Sequence, residues 1–106
     1  MATALLVSEP VTGARFARLA VQWKLGRGPV SSLSEMLMHP AYQQIIGMGQ
    51  SAIPYLLREL EQSPDHWFWA LKAITGIDPV PPEHRGNVGL MSDDWLRWGR
   101  EQGSAW

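Results

Sequence analysis

The sequence predicts an all-α fold: a compact bundle of five or six short helices arranged around one helical hairpin. Three observations predict it. Apolar residues recur at i, i+3, i+4 and i+7 in two separate stretches, the mark of an amphipathic helix. Capping residues, prolines and glycines punctuate the chain at short intervals. No stretch reads as a strand. A single domain is expected over 12–103, with a flexible arm at 1–11 and a tail at 104–106.

The first helical stretch runs from Thr12 to Leu25, with Phe16, Leu19, Ala20 and Trp23 on one face. Arg15, Arg18, Gln22 and Lys24 lie around the other side, and Gly26, Gly28 and Pro29 end it. Ahead of it, Pro10 separates residues without a periodic pattern, read as the loose arm. Ser32-Leu-Ser-Glu35 fits a capping box, so a short helix follows through Met38. His39 precedes Pro40, which biases His39 away from helical geometry and lets Pro40 open another short helix. Tyr42, Ile45 and Ile46 give that helix its apolar side.

The central hairpin follows. Ser51 is read as the cap of a helix carrying Ile53, Leu56, Leu57 and Leu60 on one face, with Pro54 in the first turn. Ser63 is read as the next cap, with Pro64 at the first helical position and Asp65 near the positive end of the dipole. Trp67, Leu71 and Ile74 form the second stripe, broadened by Phe68, Ala70 and Ala73, and Gly76 ends it as a left-handed residue. So short a join makes the two helices antiparallel. Residues 77–91 hold three prolines and two glycines and are expected to form an irregular strap. Ser92 is read as the cap of a last helix bearing Trp95, Leu96 and Trp98, stopped by Gly103.

The pattern Gly49, Ala52, Ile53, Pro54, Leu56, Leu57 and Leu60, then Ala70, Ala73 and Gly76, resembles a HEAT-type helical repeat. The resemblance covers about 30 residues and implies a hairpin that presents shape rather than chemistry; a single repeat is visible, where a solenoid needs about three. Asp65-His66 stands near the turn where such repeats carry aspartate and arginine. The wider chain, from Phe16 through Trp95-Leu-Arg-Trp-Gly99, also resembles a group of small bacterial proteins without assigned function. That resemblance implies a bacterial, cytoplasmic origin and transfers no activity.

Composition narrows the function classes. A net charge of −1 announces neither nucleic acid nor an acidic substrate. Without cysteine there is no disulfide, thiolate zinc site or cysteine nucleophile. The longest apolar run, Ala4-Leu-Leu-Val7, is too short to span a membrane, and no membrane partner is expected. Neither a Gly-x-Ser-x-Gly elbow nor a phosphate loop occurs, so no enzyme, catalytic residue, cofactor or metal site is expected.

What remains is surface. Trp67-Phe68-Trp69 spans about 200° of a helix, so with Trp67 inward Trp69 must face elsewhere. It either packs beneath the strap, the blander outcome, or stands free as an interface anchor. The expected function is a protein-binding or scaffold module, engaging a protein partner or a second copy through Trp69, His66, His84, Arg85 and Trp98. The alternative is a nucleic-acid-associated regulator using Arg15, Arg18, Lys24 and Arg27. A further alternative is a metal or hydrolase-like site, should the strap bring His84 to His66 and Asp65.

Overall fold

The computed structural model describes the backbone of residues 2–28 and 32–106, with side chains from residue 11 onward. Among the described residues the chain forms six α-helices: α1 (Ala2–Gly26), α2 (Leu33–Met38), α3 (Pro40–Gly47), α4 (Ile53–Gln62), α5 (Phe68–Thr75) and α6 (Val88–Glu101). Two 3-10 turns, Gly49–Ala52 and Pro82–His84, complete the regular structure, and no strand occurs among these residues. The fold class is all-α. Contacts group the chain into two units, Met1–Ala52 and Ile53–Trp106, where the sequence reading takes one domain. The reason is local partnering: α1 packs chiefly on α3, and α4 on α6.

In the first unit, Phe16, Leu19, Ala20 and Trp23 are all buried, as the spacing requires. The helix begins at Ala2 rather than after a loose arm at 1–11. Pro10 deletes one bond from the backbone ladder, and the run from Ala2 to Val7, rich in alanine and leucine, carries helical turns ahead of it. Trp23 lies against Tyr42, ring centroids 5.3 Å apart, and its indole Nε1 donates to the Met36 carbonyl at 2.8 Å. One side chain thereby joins α1 to both α2 and α3. The Ser32–Glu35 capping box is present. His39 caps α3 through Nδ1, which accepts from the Ala41 N–H at 3.1 Å. Gly26 permits this arrangement, since a Cβ there would overlap the His39 imidazole. Pro29, also enlisted to end α1, lies outside the described residues.

In the second unit, Ile53, Leu56, Leu57 and Leu60 are buried along one face of α4. Ser51 does not cap that helix. The 3-10 turn Gly49–Ala52 leads directly into it, and Ser51 Oγ donates back to the Met48 carbonyl at 2.8 Å. The second helix also starts later than read, at Phe68 instead of Pro64. The Asp65 carboxylate accepts from the His66 N–H and the Asp65 carbonyl from the Trp67 N–H, each at 2.8 Å. These local bonds offer the backbone an alternative to helix, and the turn wins. Trp67, Ala70 and Leu71 are buried, while Ala73 is exposed. Gly76 ends α5 at φ 75°, with its N–H on the Lys72 carbonyl.

Helix α6 starts one turn before the Ser92 position. Asn87 is its cap, accepting from the Leu90 N–H at 3.0 Å. Ser92 sits inside the helix, buried, with Oγ bonded to the Val88 carbonyl at 2.8 Å. Asparagine outranks serine only slightly as a cap, so the placement follows from the site that leaves Ser92 a carbonyl partner. Gly103, at φ 77°, closes the helix in a Schellman arrangement: Ser104 N–H bonds to the Gly99 carbonyl and Gly103 N–H to that of Arg100. The tail residues 104–106 therefore fold back, and Trp106 lies on Gly99.

Gly99 is the contact point of α6 with α4. A Cβ built there would fall 2.7 Å from Leu57 Cδ1 and 2.9 Å from Trp106 Cζ3. Gly99→Ala would gain about 1 kcal/mol of helix propensity. The overpacking against fully buried Leu57 costs about 1–3 kcal/mol. We expect Gly99→Ala to lower the urea midpoint at unchanged slope; a higher midpoint would contradict the close approach of α4 and α6.

Candidate functional site

The second unit carries the polar chemistry. Asp94 is 1% exposed on α6. Its Oδ2 lies 2.7 Å from His84 Nδ1 and its Oδ1 accepts from Arg97 at 3.0 Å. His84 comes from the 3-10 turn Pro82–His84 and Arg97 from one turn further along α6. A buried carboxylate thus anchors the proline-rich segment to the last helix.

The adjacent Arg85 reaches the other way. It donates to Asp78 Oδ2 at 3.0 Å, and Lys72 Nζ of α5 approaches the same oxygen at 3.7 Å. Asp78 Oδ1 accepts from the Val80 N–H at 3.1 Å, and Val80 is buried. Burial pushes the Asp78 carboxyl up, but the Val80 N–H, Arg85 and Lys72 together outweigh it and hold it below its ordinary value. The segment after α5 is therefore fixed at two carboxylates through neighbouring residues, His84 on Asp94 and Arg85 on Asp78.

This placement answers the question about Trp69. The strap is drawn toward α6 and the end of α5, and Trp69 is 49% exposed. Its indole faces Lys72, whose Nζ is 5.8 Å from the ring centroid. Lys72, Asp78 and Arg85 form a charged row leading away from the ring. Ala73 lies one turn on from Trp69, and Ile77, 43% exposed, follows Gly76. The exposed indole of Trp69 thus stands beside the Lys72–Asp78–Arg85 cluster, and Ile77 lies beyond the left-handed Gly76 that ends α5.

The other residues singled out from sequence are placed differently. Trp98 is half-buried and meets Trp95 edge-on, centroids 5.4 Å apart. His66 is half-buried at the connector, its N–H held by Asp65. Among the described residues no group of His, Cys, Asp and Glu is assembled to hold a metal, so His66, His84 and Asp65 do not form one there. Of the basic residues of the first helix, Arg15 and Arg18 lie near one another while Lys24 lies on another side. Arg15 and Arg18 are about 60° apart and Lys24 about 120° from Arg18. Arg27 stacks over the Trp23 ring at 4.2 Å.

Asp94, Arg97, Lys72 and Asp78 were not singled out. A pair of aspartates at the start of an expected helix looks like dipole compensation, and only an earlier helix start places Asp94 inside. The spacing Asp94–Arg97, at i and i+3, is the one local signal of the pair.

Two expectations follow. Asp94→Ala should cost about 2 kcal/mol in chemical denaturation, and Arg97→Ala less, because water can reach the place of its exposed guanidinium although the carboxylate itself is buried. Equal small effects would mean the carboxylate does not hold the strap. The lowered Asp78 carboxyl contributes stability that is complete above the unfolded value of about 4 and is lost as pH falls through its folded value. Asp78→Asn should therefore flatten the acid limb of stability against pH, leaving the neutral slope unchanged; an identical acid limb in the variant would contradict this. Comparison with protein-family models, curated proteins and solved structures finds no match for this chain.

Proposed function

We propose that the chain is a small protein-binding module of the bacterial cytosol that docks a partner on the outer face of α5, with Trp69 as the anchor. The observation that carries this reading is the half-exposed indole of Trp69. Tryptophan is among the residues most enriched at energetic hot spots, because it buries a large area with little loss of side-chain freedom. Lys72 Nζ stands 5.8 Å from the ring centroid, a cation–π contact that would favour one ring orientation and so reduce the ordering cost of association.

The border supports the same reading. Arg85 and Lys72 converge on Asp78, with Arg85 itself over half exposed. An exposed aromatic bordered by charged residues fits the apolar-centre, polar-edge anatomy of a non-obligate interface. The α4–α5 hairpin, which resembles a HEAT-type repeat, would then serve as a rigid support for this indole. His84 would act as a positioning residue for the border, through Asp94, and Trp98 as packing behind it.

The test is a quantitative pull-down comparing the native chain with Trp69→Ser. Trp69 is surface-placed, so both should fold with the same circular dichroism. A specific protein retained by the native chain should be lost from Trp69→Ser, with affinity lower by about 30-fold for an anchor worth roughly 2 kcal/mol. Every captured protein binding both forms equally would refute this docking face.

A further inference from the structure

Helix α1 carries a second apolar line that its own unit leaves uncovered. Val11, Ala14, Val21 and Leu25 are all exposed, Val11 at 58%, Val21 at 54% and Leu25 at 81%. With Arg18 they fall at residues 11, 14, 18, 21 and 25, a strict alternation of three and four. That spacing is the seam of a helix that pairs with another helix. It lies across the cylinder from the buried set Phe16, Leu19, Ala20 and Trp23, which is already engaged within the first unit. So α1 has two apolar faces, one used and one offered.

The charges on the offered face select the occupant. Arg18 occupies the seam itself, and Arg15 stands about 60° to its side, both exposed. No acidic residue occurs in sequence from Pro10 to Ser34. We propose that this face of α1 docks an acidic amphipathic helix of a partner protein, apolar at the same three–four spacing and bearing a carboxylate opposite Arg18. Arg–carboxylate pairs across a helix seam fix register as well as partner.

A second copy of this chain fits poorly. Arg18 is the midpoint of the line from Val11 to Leu25. Parallel in-register pairing and centred antiparallel pairing both bring Arg18 against its own copy, and like charges there are repulsive. An anionic lipid surface also fits poorly. Helices that lie in a membrane interface turn large aromatic and leucine side chains toward the lipid. Here Phe16 and Trp23 are buried on the opposite face, and the offered line is mostly valine and alanine.

The test uses the full chain and two synthetic helical peptides of about three heptads. Both carry leucine and alanine at seam positions; one bears glutamate on its flanks and facing Arg18, its twin lysine at the same places. Fluorescence anisotropy should show binding of the acidic peptide alone, weakened by salt. Leu25→Glu should weaken it at least about tenfold, and Arg18→Glu about as much. Trp69→Ser should leave it unchanged, which separates this surface from the α5 face. Equal binding of both peptides, or of native chain and Leu25→Glu, would overturn the proposal. So would binding to phosphatidylserine vesicles without peptide binding, or self-association that Leu25→Glu abolishes.

Discussion

A carboxylate buried as fully as Asp94 must be answered by partners, because desolvating a charge costs several kcal/mol. Its two oxygens are answered separately, one by His84 from the 3-10 turn and one by Arg97 from its own helix. Both partners keep part of their surface in water, which lowers the penalty on their side. The demand of Asp94 is therefore shared between its own helix and His84 of the strap. In a segment with three prolines the backbone bonds are local ones, those of the turn around Pro82–His84, and do not tie it to a neighbouring helix. Side-chain anchoring replaces the ladder that such a sequence cannot build.

The second anchor follows from the first. Once His84 is turned toward α6, Arg85 is free to reach the opposite carboxylate, Asp78, at the other end of the segment. Asp78 in turn draws Lys72 from α5, and Lys72 is the residue beneath the Trp69 ring. A chain of contacts runs from a buried aspartate to an exposed indole, and its outer pairs, Arg85–Asp78 and Lys72–Asp78, individually contribute little. Surface ion pairs are worth less than about 1 kcal/mol each. Their value here is orientation: the strap is held where it does not cover Trp69.

The buried faces of α1 and α4 were legible in the sequence because periodicity reports burial directly: Phe16, Leu19, Ala20 and Trp23, and likewise Ile53, Leu56, Leu57 and Leu60, are all inside. The capping box at Ser32, the left-handed Gly76 and the stop at Gly103 were legible because each is settled within four residues. Helix starts at Ser51, Ser63 and Ser92 were not. At Ser51 and Ser92 the hydroxyl donates to a carbonyl behind it, and after Ser63 the local bonds of Asp65 hold a turn, so each choice depends on the neighbouring turn. Asp94 was missed for the same reason, since a one-turn shift in the start of α6 carries it from the wet first turn to the interior. Trp69 was legible only as an alternative: the sequence shows that three consecutive aromatics cannot share a core, and coordinates decide which one is left out.

The two uncovered surfaces differ in what they ask of a partner. Around Trp69 the exposed apolar surface is a single indole and the charges of both signs beside it are already paired with one another, so it selects by shape and by what fills the space beside that ring. Along α1 the apolar line is long and narrow, and the charge within it has one sign. From residue 11 to residue 52 the basic residues are Arg15, Arg18, Lys24 and Arg27, against the single acidic Glu35; from Ile53 onward acidic residues outnumber basic ones. A near-neutral total therefore conceals an uneven distribution, and bulk charge understates what α1 offers. An arginine set in an apolar seam is costly unless a carboxylate meets it, and that cost is also what excludes the wrong helix.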